Sequence, residues 1–375
     1  MAQHYTYNEI MQQPRMWLNE YELLKQESET VRTFLNSYLK AGYRIIFTGA
    51  GTSAYIGDVL EVAVANTPLH GARSVATTDL ITHPAHYLRP DEKTLLISFA
   101  RSGNSPESLG AVNLADTLCG DNIAHIFITC NREGKLARLA EGRRNTLLLL
   151  LPPETDDKSL AMTSSFSTML FTALLLAHID DIEAQFPMVR DIVTNSAAAL
   201  TRYDKEIKAV ASLDFARAIF LGSGELKGIA EESHLKLQEL TDGGVMCSFD
   251  SFLGFRHGPK AVINSRSLLI YLLSDDPKVR RYEVDLIRQI SSNNHVVAAI
   301  AVSSTPIDIP DAQIDLNIVL NCGRKQGLYS CIPYVFAAQL LGYYKSLASG
   351  LNPDAPSVSG NIARVVEGVT IYPYL

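Results

Sequence analysis

The chain has 375 residues, 47% of them hydrophobic and 19% charged, and 40 acidic against 33 basic side chains give a formal net charge of −7. That length predicts two domains, and that composition excludes a disordered chain. The acidic balance, with no basic run longer than Arg143-Arg144 or Arg280-Arg281, excludes nucleic acid as a bulk partner, though a small anionic substrate can still bind at a locally positive site.

The N-terminus, Met1 to Tyr21, is polar and lacks the apolar core of a signal peptide. Trp17, Leu18, Tyr21, Leu24, Val31, Phe34 and Leu35 recur at helical spacing, which predicts one or two amphipathic helices over residues 1–40. A first domain follows over residues 41–190. Arg44-Ile-Ile-Phe-Thr48 reads as a strand running into Gly49-Ala-Gly51-Thr-Ser53, then a helix to about residue 65. Strands at 94–98, 125–129 and 146–151 alternate with helices at 106–118, 135–138 and 165–186. Helices between short apolar runs imply a parallel sheet covered on both faces.

Residues 190–215 form a helical link, and the pattern then repeats over 205–348. Arg217-Ala-Ile-Phe-Leu221 leads into Gly222-Ser-Gly224 as the first strand led into Gly49-Ala-Gly51, the mark of a duplication. Further strands are expected at 267–273, 296–302 and 315–320, and helices at 229–239, 279–291 and 333–346. A tail over 349–375 wraps over a neighbour. The fold class is therefore α/β, two tandem domains each with a parallel sheet between helices. Five cysteines without a Cys-x-x-Cys pair read as free thiols in a reducing compartment, and the apolar stretch 169–179 is far short of the roughly 20 residues that span a bilayer. The expectation is a soluble, cytoplasmic protein with no membrane partner.

In an open parallel sheet, ligands sit where strands feed helices, and helix N-termini suit phosphate. The first half has two such turns rich in hydroxyls, 49–53 and Arg101-Ser102-Gly103-Asn104-Ser105-Pro106-Glu107-Ser108. Thr52, Ser53, Ser102 and Ser105 are the candidate phosphate donors, with Arg101 beside them; as helix caps, Ser53 and Ser105 have a plainer explanation. Ala54 stands where a dinucleotide fingerprint needs its third glycine. The matching turn in the second half carries Glu225, which repels phosphate, so one phosphate site per chain is expected.

The second half offers Lys236 and Glu239 three apart on one helix, equally explicable as a surface ion pair, and Phe255-Arg256-His257-Gly258-Pro259, a histidine fixed in a turn. His83 and His86 have no partners in sequence to complete a metal site, so no metal and no cofactor are expected.

Taken together, the 49–53 and 102–108 turns resemble the phosphate loops of sugar isomerase (SIS) domains. Lys236-Leu-Gln-Glu239 with Arg256-His257-Gly258-Pro259 resembles the isomerase half of glucosamine-6-phosphate synthase, built from two such domains in tandem, each a flavodoxin-like three-layer sandwich. The opening Thr6-Tyr-Asn-Glu-Ile10-Met-Gln-Gln13-Pro14-Arg15 and closing Arg364-Val-Val-Glu-Gly368 are similar to the galactosamine-6-phosphate deaminase/isomerase group. The resemblance implies that Thr52, Ser53, Ser102 and Ser105 hold the phosphate. It makes Glu239 the base that moves a proton between C1 and C2, and has Lys236 stabilise charge nearby. His257 would open the sugar ring, acting across a homodimer, and Thr163 and Ser164 would contact the sugar. Arg101 and Gly254 depart from the synthase, as does the lack of a clear counterpart to its C-terminal lysine, where Arg364 is the nearest candidate. The implied reaction converts galactosamine 6-phosphate to tagatose 6-phosphate and ammonia. A tagatose 6-phosphate isomerase, a phosphosugar-amine deglycase and a non-catalytic sugar-phosphate sensor are the alternatives.

Overall fold

A computed structural model describes residues 4–293, 295–366 and 368–374, so Glu367 of the closing stretch lies outside them. Two helices open the chain, α1 (Tyr5–Gln26) and α2 (Ser28–Lys40). The first repeat runs β1 (Arg44–Thr48), α3 (Thr52–Ala63), β2 (Arg73–Ser74), α4 (Thr77–Thr82), α5 (Pro84–Tyr87), β3 (Thr94–Ala100), α6 (Pro106–Cys119), β4 (Ile123–Thr129), α7 (Lys135–Leu139), β5 (Thr146–Leu150) and α8 (Ser164–Leu176). After α9 (Phe186–Ala211) the second repeat runs β6 (Arg217–Gly222), α10 (Glu225–Leu240), β7 (Met246–Asp250), α11 (Phe252–Phe255), β8 (Ser267–Leu273), α12 (Pro277–Asn293), β9 (Ala298–Ser303), β10 (Leu316–Val319) and α13 (Phe336–Ala348).

Each repeat builds a five-stranded parallel sheet. The orders β2-β1-β3-β4-β5 and β7-β6-β8-β9-β10 are one topology used twice, the doubly wound order whose ligand crevice lies beside the first strand, where the winding reverses. β3, β4, β8 and β9 are buried along their whole length, as parallel strands covered on both faces must be. The chain folds into two compact units of interleaved stretches. Arg15–Asp157, Ser164–Phe186 and Ala363–Leu375 hold the first sheet, and Met1–Pro14, Lys158–Thr163 and Pro187–Ile362 hold the second.

The two Gly-x-Gly turns repeat the same physics. A Cβ on Gly49 would lie 2.4 Å from the Ser53 backbone, and one on Gly222 would lie 2.2 Å from the Leu226 carbonyl oxygen. Gly51 and Gly224, at φ +55° and +61°, hold the left-handed conformation that lets the chain turn from strand into helix.

Two expectations need correction. The helix expected over 165–186 stops at Leu176, because Asp180 and Asp181 start a separate 3₁₀ segment, Ile179–Gln185, with Asp181 outside helical geometry. The helical link expected over 190–215 is present as the 26-residue helix α9. Ser53 does not cap α3: Gly51 holds that position and Ser53 lies inside the first turn. The tail packs on its own chain. Asp354 accepts from the Thr6 and Tyr5 amides and the Thr6 hydroxyl, satisfying the first turn of α1. Farther on, Ile371 packs against Gly110 of α6, where a Cβ would approach it to 3.1 Å.

Candidate active site

The turns 49–53 and 101–105 leave β1 and β3, which are adjacent strands at the winding reversal of the first sheet. Thr52 and Ser53 are buried in the first turn of α3. Ser105 caps α6, accepting from the Ser108 amide at 3.2 Å, with the two hydroxyls 2.7 Å apart. If Ser108 donates in that pair, the Ser105 proton is left to point outward, so cap and anion donor are compatible roles. The amides of Ser102 and Gly103 donate to no group among the described residues, although Gly103 is buried. Unsatisfied donors beside a helix N-terminus are what an oxyanion completes.

Arg101 is buried, and its Nη2 donates to the Arg364 carbonyl at 2.6 Å. Burial pulls its pKa down, against the neighbouring Asp157 carboxylate. Arg364 in turn donates to Asp156 Oδ1 at 2.7 Å and to the Asp157 carbonyl at 2.8 Å. Arg101 thus fastens the tail to the 101–105 turn. Thr163 and Ser164 are wholly buried. The Asp157 carboxylate accepts from the amides and hydroxyls of Ser164 and Ser165, and so closes the N-terminus of α8.

In the other unit, α10 carries Lys236 and Glu239. Lys236 is fully buried, its ammonium 2.6 Å from Glu239 and 3.4 Å from Glu232, itself fully buried. A surface ion pair is thereby excluded. The Glu239 side chain keeps 22% of its surface, so the carboxylate is reachable while its counter-ion is sealed. Glu232 went unnoticed in the sequence, although its four-residue spacing from Lys236 was there to be read. His257 is exposed on the turn after α11, followed by Gly258 at φ +122°.

The second sheet differs at the equivalent loop. Where the first repeat has the 101–105 turn, the loop after β8 is filled from within: Glu283 of α12, fully buried, accepts the Ser274 amide at 3.0 Å. Burial pushes this carboxyl up to about 7. An internal carboxylate stands at the equivalent of the candidate phosphate site. Among the described residues no group of three or more His, Cys, Asp or Glu side chains could hold a metal ion, and all five cysteines are free and buried. No single helix among them is long and apolar enough to cross a membrane.

Comparison with known proteins agrees with this architecture. The SIS domain profile matches residues 37–179. The chain is 39% identical over 375 residues to D-galactosamine-6-phosphate deaminase AgaS of Shewanella sp. (strain ANA-3), covering 99% of this chain and 92% of that one. It is 38% identical to the Escherichia coli protein of the same name, covering 99% and 96%. A solved structure of tagatose-6-phosphate ketose/aldose isomerase from Escherichia coli superposes with a TM-score of 0.89 at 35% identity, covering 99% of this chain and 96% of that one.

Proposed function

We propose, for a chain that belongs to the SIS-domain family of the Shewanella and Escherichia coli AgaS deaminases, that it converts D-galactosamine 6-phosphate to tagatose 6-phosphate and ammonia in amino-sugar catabolism. The observation that carries this reading is the α10 pair, a reachable carboxylate on a buried ammonium. The phosphate is assigned to Thr52, Ser53, Ser102 and Ser105 with the Ser102 and Gly103 amides, and remote binding energy of this kind orients the reacting carbons. His257, exposed on its turn, gives the proton that opens the ring and acts across a homodimer. Glu239 removes the C2 proton to give an enolamine and returns a proton at C1. The resulting ketimine adds water at C2, the C2–N bond breaks, ammonia leaves and the ketose remains. Lys236 holds Glu239 in place and stabilises the charge that develops beside it. Thr163 and Ser164 shape the loop that faces the sugar. By bond broken the enzyme is a hydrolase acting on C–N, and its place is the cytoplasm.

A plain aldose–ketose isomerase is the second reading, favoured by the name of the solved Escherichia coli relative. Coupled detection of ammonia from the purified protein separates the two. Ammonia released from galactosamine 6-phosphate in strong preference to glucosamine 6-phosphate is the expected result. No ammonia from either, with turnover of tagatose 6-phosphate, would establish the isomerase. Glu239→Gln is expected to lower turnover by at least about a hundredfold while inorganic phosphate still binds.

A further inference from the structure

We propose that Asn131, in the turn between β4 and α7, is a positioning residue that aims the phosphate-binding amides of the 101–105 loop; this rests on the phosphate reading given above. Three successive carbonyls of that loop are held from one side. Thr129 Oγ1 donates to the Arg101 carbonyl at 3.3 Å, Asn131 Nδ2 to the Ser102 carbonyl at 3.1 Å, and the Leu136 amide to the Gly103 carbonyl at 2.9 Å. The Lys135 amide adds a fourth tie, to Asn104 Oδ1 at 3.0 Å.

In a trans peptide the C=O and the following N–H point in opposite directions. Pinning the Arg101 and Ser102 carbonyls towards the β4–α7 turn therefore turns the Ser102 and Gly103 amides away from it. Neither amide has an acceptor among the described residues. Gly103, at φ +62°, supplies the left-handed residue that lets successive amides converge as an anion nest. Thr129 and Leu136 act from regular elements, β4 and α7, whereas Asn131 acts from the turn between them through its side chain. Its amide is oriented in turn, since Oδ1 accepts from the Glu133 amide at 3.0 Å and so leaves Nδ2 facing Ser102. Gly134 makes the approach feasible: a Cβ there would lie 2.5 Å from the Ser102 carbonyl oxygen.

The test uses Asn131→Ala, which removes the donor, and Asn131→Asp, which keeps the shape and the bond to Glu133 but sets an oxygen against the Ser102 carbonyl. Inorganic phosphate is the probe, read both as a competitive inhibitor of turnover and as a stabiliser in thermal melting. Both variants are expected to weaken phosphate binding and to raise KM for the sugar phosphate by a similar factor, roughly tenfold to a hundredfold, with kcat changed far less. Asn122→Ala is the control. It removes a comparable tie, Nδ2 to the Pro90 carbonyl at 2.7 Å, before β4 rather than after it, and should leave phosphate affinity and KM unchanged. Phosphate affinity equal to wild type in folded Asn131 variants would overturn the proposal. If phosphate neither inhibits nor stabilises the wild-type protein, the phosphate reading itself fails and takes Asn131 with it.

Discussion

The Lys236 ammonium lies fully buried beside two carboxylates of its own helix, one sealed and one reachable. Truncating one member of a buried charged group leaves the others uncompensated, which costs about 3–5 kcal/mol. Lys236→Met should therefore lower stability by that order in a urea unfolding curve, as well as removing activity. A surface pair would give no more than about 1 kcal/mol, and a loss that small would contradict the burial of Lys236. The spacing of Lys236 and Glu239 was legible in the sequence, but their burial was not. The helix packed on α10 is α13, from about a hundred residues downstream, so close that a Cβ on Gly342 would reach the Lys236 carbonyl oxygen at 3.2 Å. No periodicity within α10 records that approach. Arg101 is a similar case: its identity suggested an anion, whereas its guanidinium donates to the Arg364 carbonyl of the tail.

Among elements, the strands and the helices after them were legible wherever burial is complete. Fully covered parallel strands read as unbroken apolar runs, and the Gly-x-Gly turns marked where two of them end. β7 was missed because it is an edge strand with Cys247 as its one buried residue, so it shows neither an apolar run nor an alternation. The break after α8 was missed because the apolar sequence continues through Ala177 and Ile179. Within the first turn, the two glycines should fail differently. Gly49→Ala sets a Cβ 2.4 Å from backbone atoms and must displace α3, whereas Gly51→Ala meets no atom within 4 Å and costs only its left-handed φ. Chemical denaturation should find Gly49→Ala the worse of the two, with Gly51→Ala costing about 1–3 kcal/mol.

At the scale of the whole molecule, each unit carries a deeply buried carboxyl raised above the ordinary 4.5. Glu20 is pushed up to about 8 by burial, eased by the Thr172 hydroxyl, and Glu283 is pushed up to about 7. Between pH 4.5 and 8 these two groups then bind more protons in the folded chain than in the unfolded one. The stability these groups contribute is complete below about 4.5 and is lost as pH rises through 7 and 8. The melting temperature should fall from pH 5 to pH 8 by the share these two groups carry. Glu20→Gln, neutral at every pH, should flatten that slope, and an unchanged slope would show that Glu20 does not titrate in this window. The duplicated sheets were legible as two strand, Gly-x-Gly, helix series; the interleaving of the chain between units was not, because it depends on contacts between distant segments. One such contact governs the timing of assembly. Thr6 and the Asp354 that satisfies its amide are 348 residues apart. A ribosome adding roughly 5–20 residues per second exposes the start of α1 tens of seconds before its acceptor exists. The first turn of α1 therefore stays unfinished until the 348 residues that separate it from Asp354 have been made.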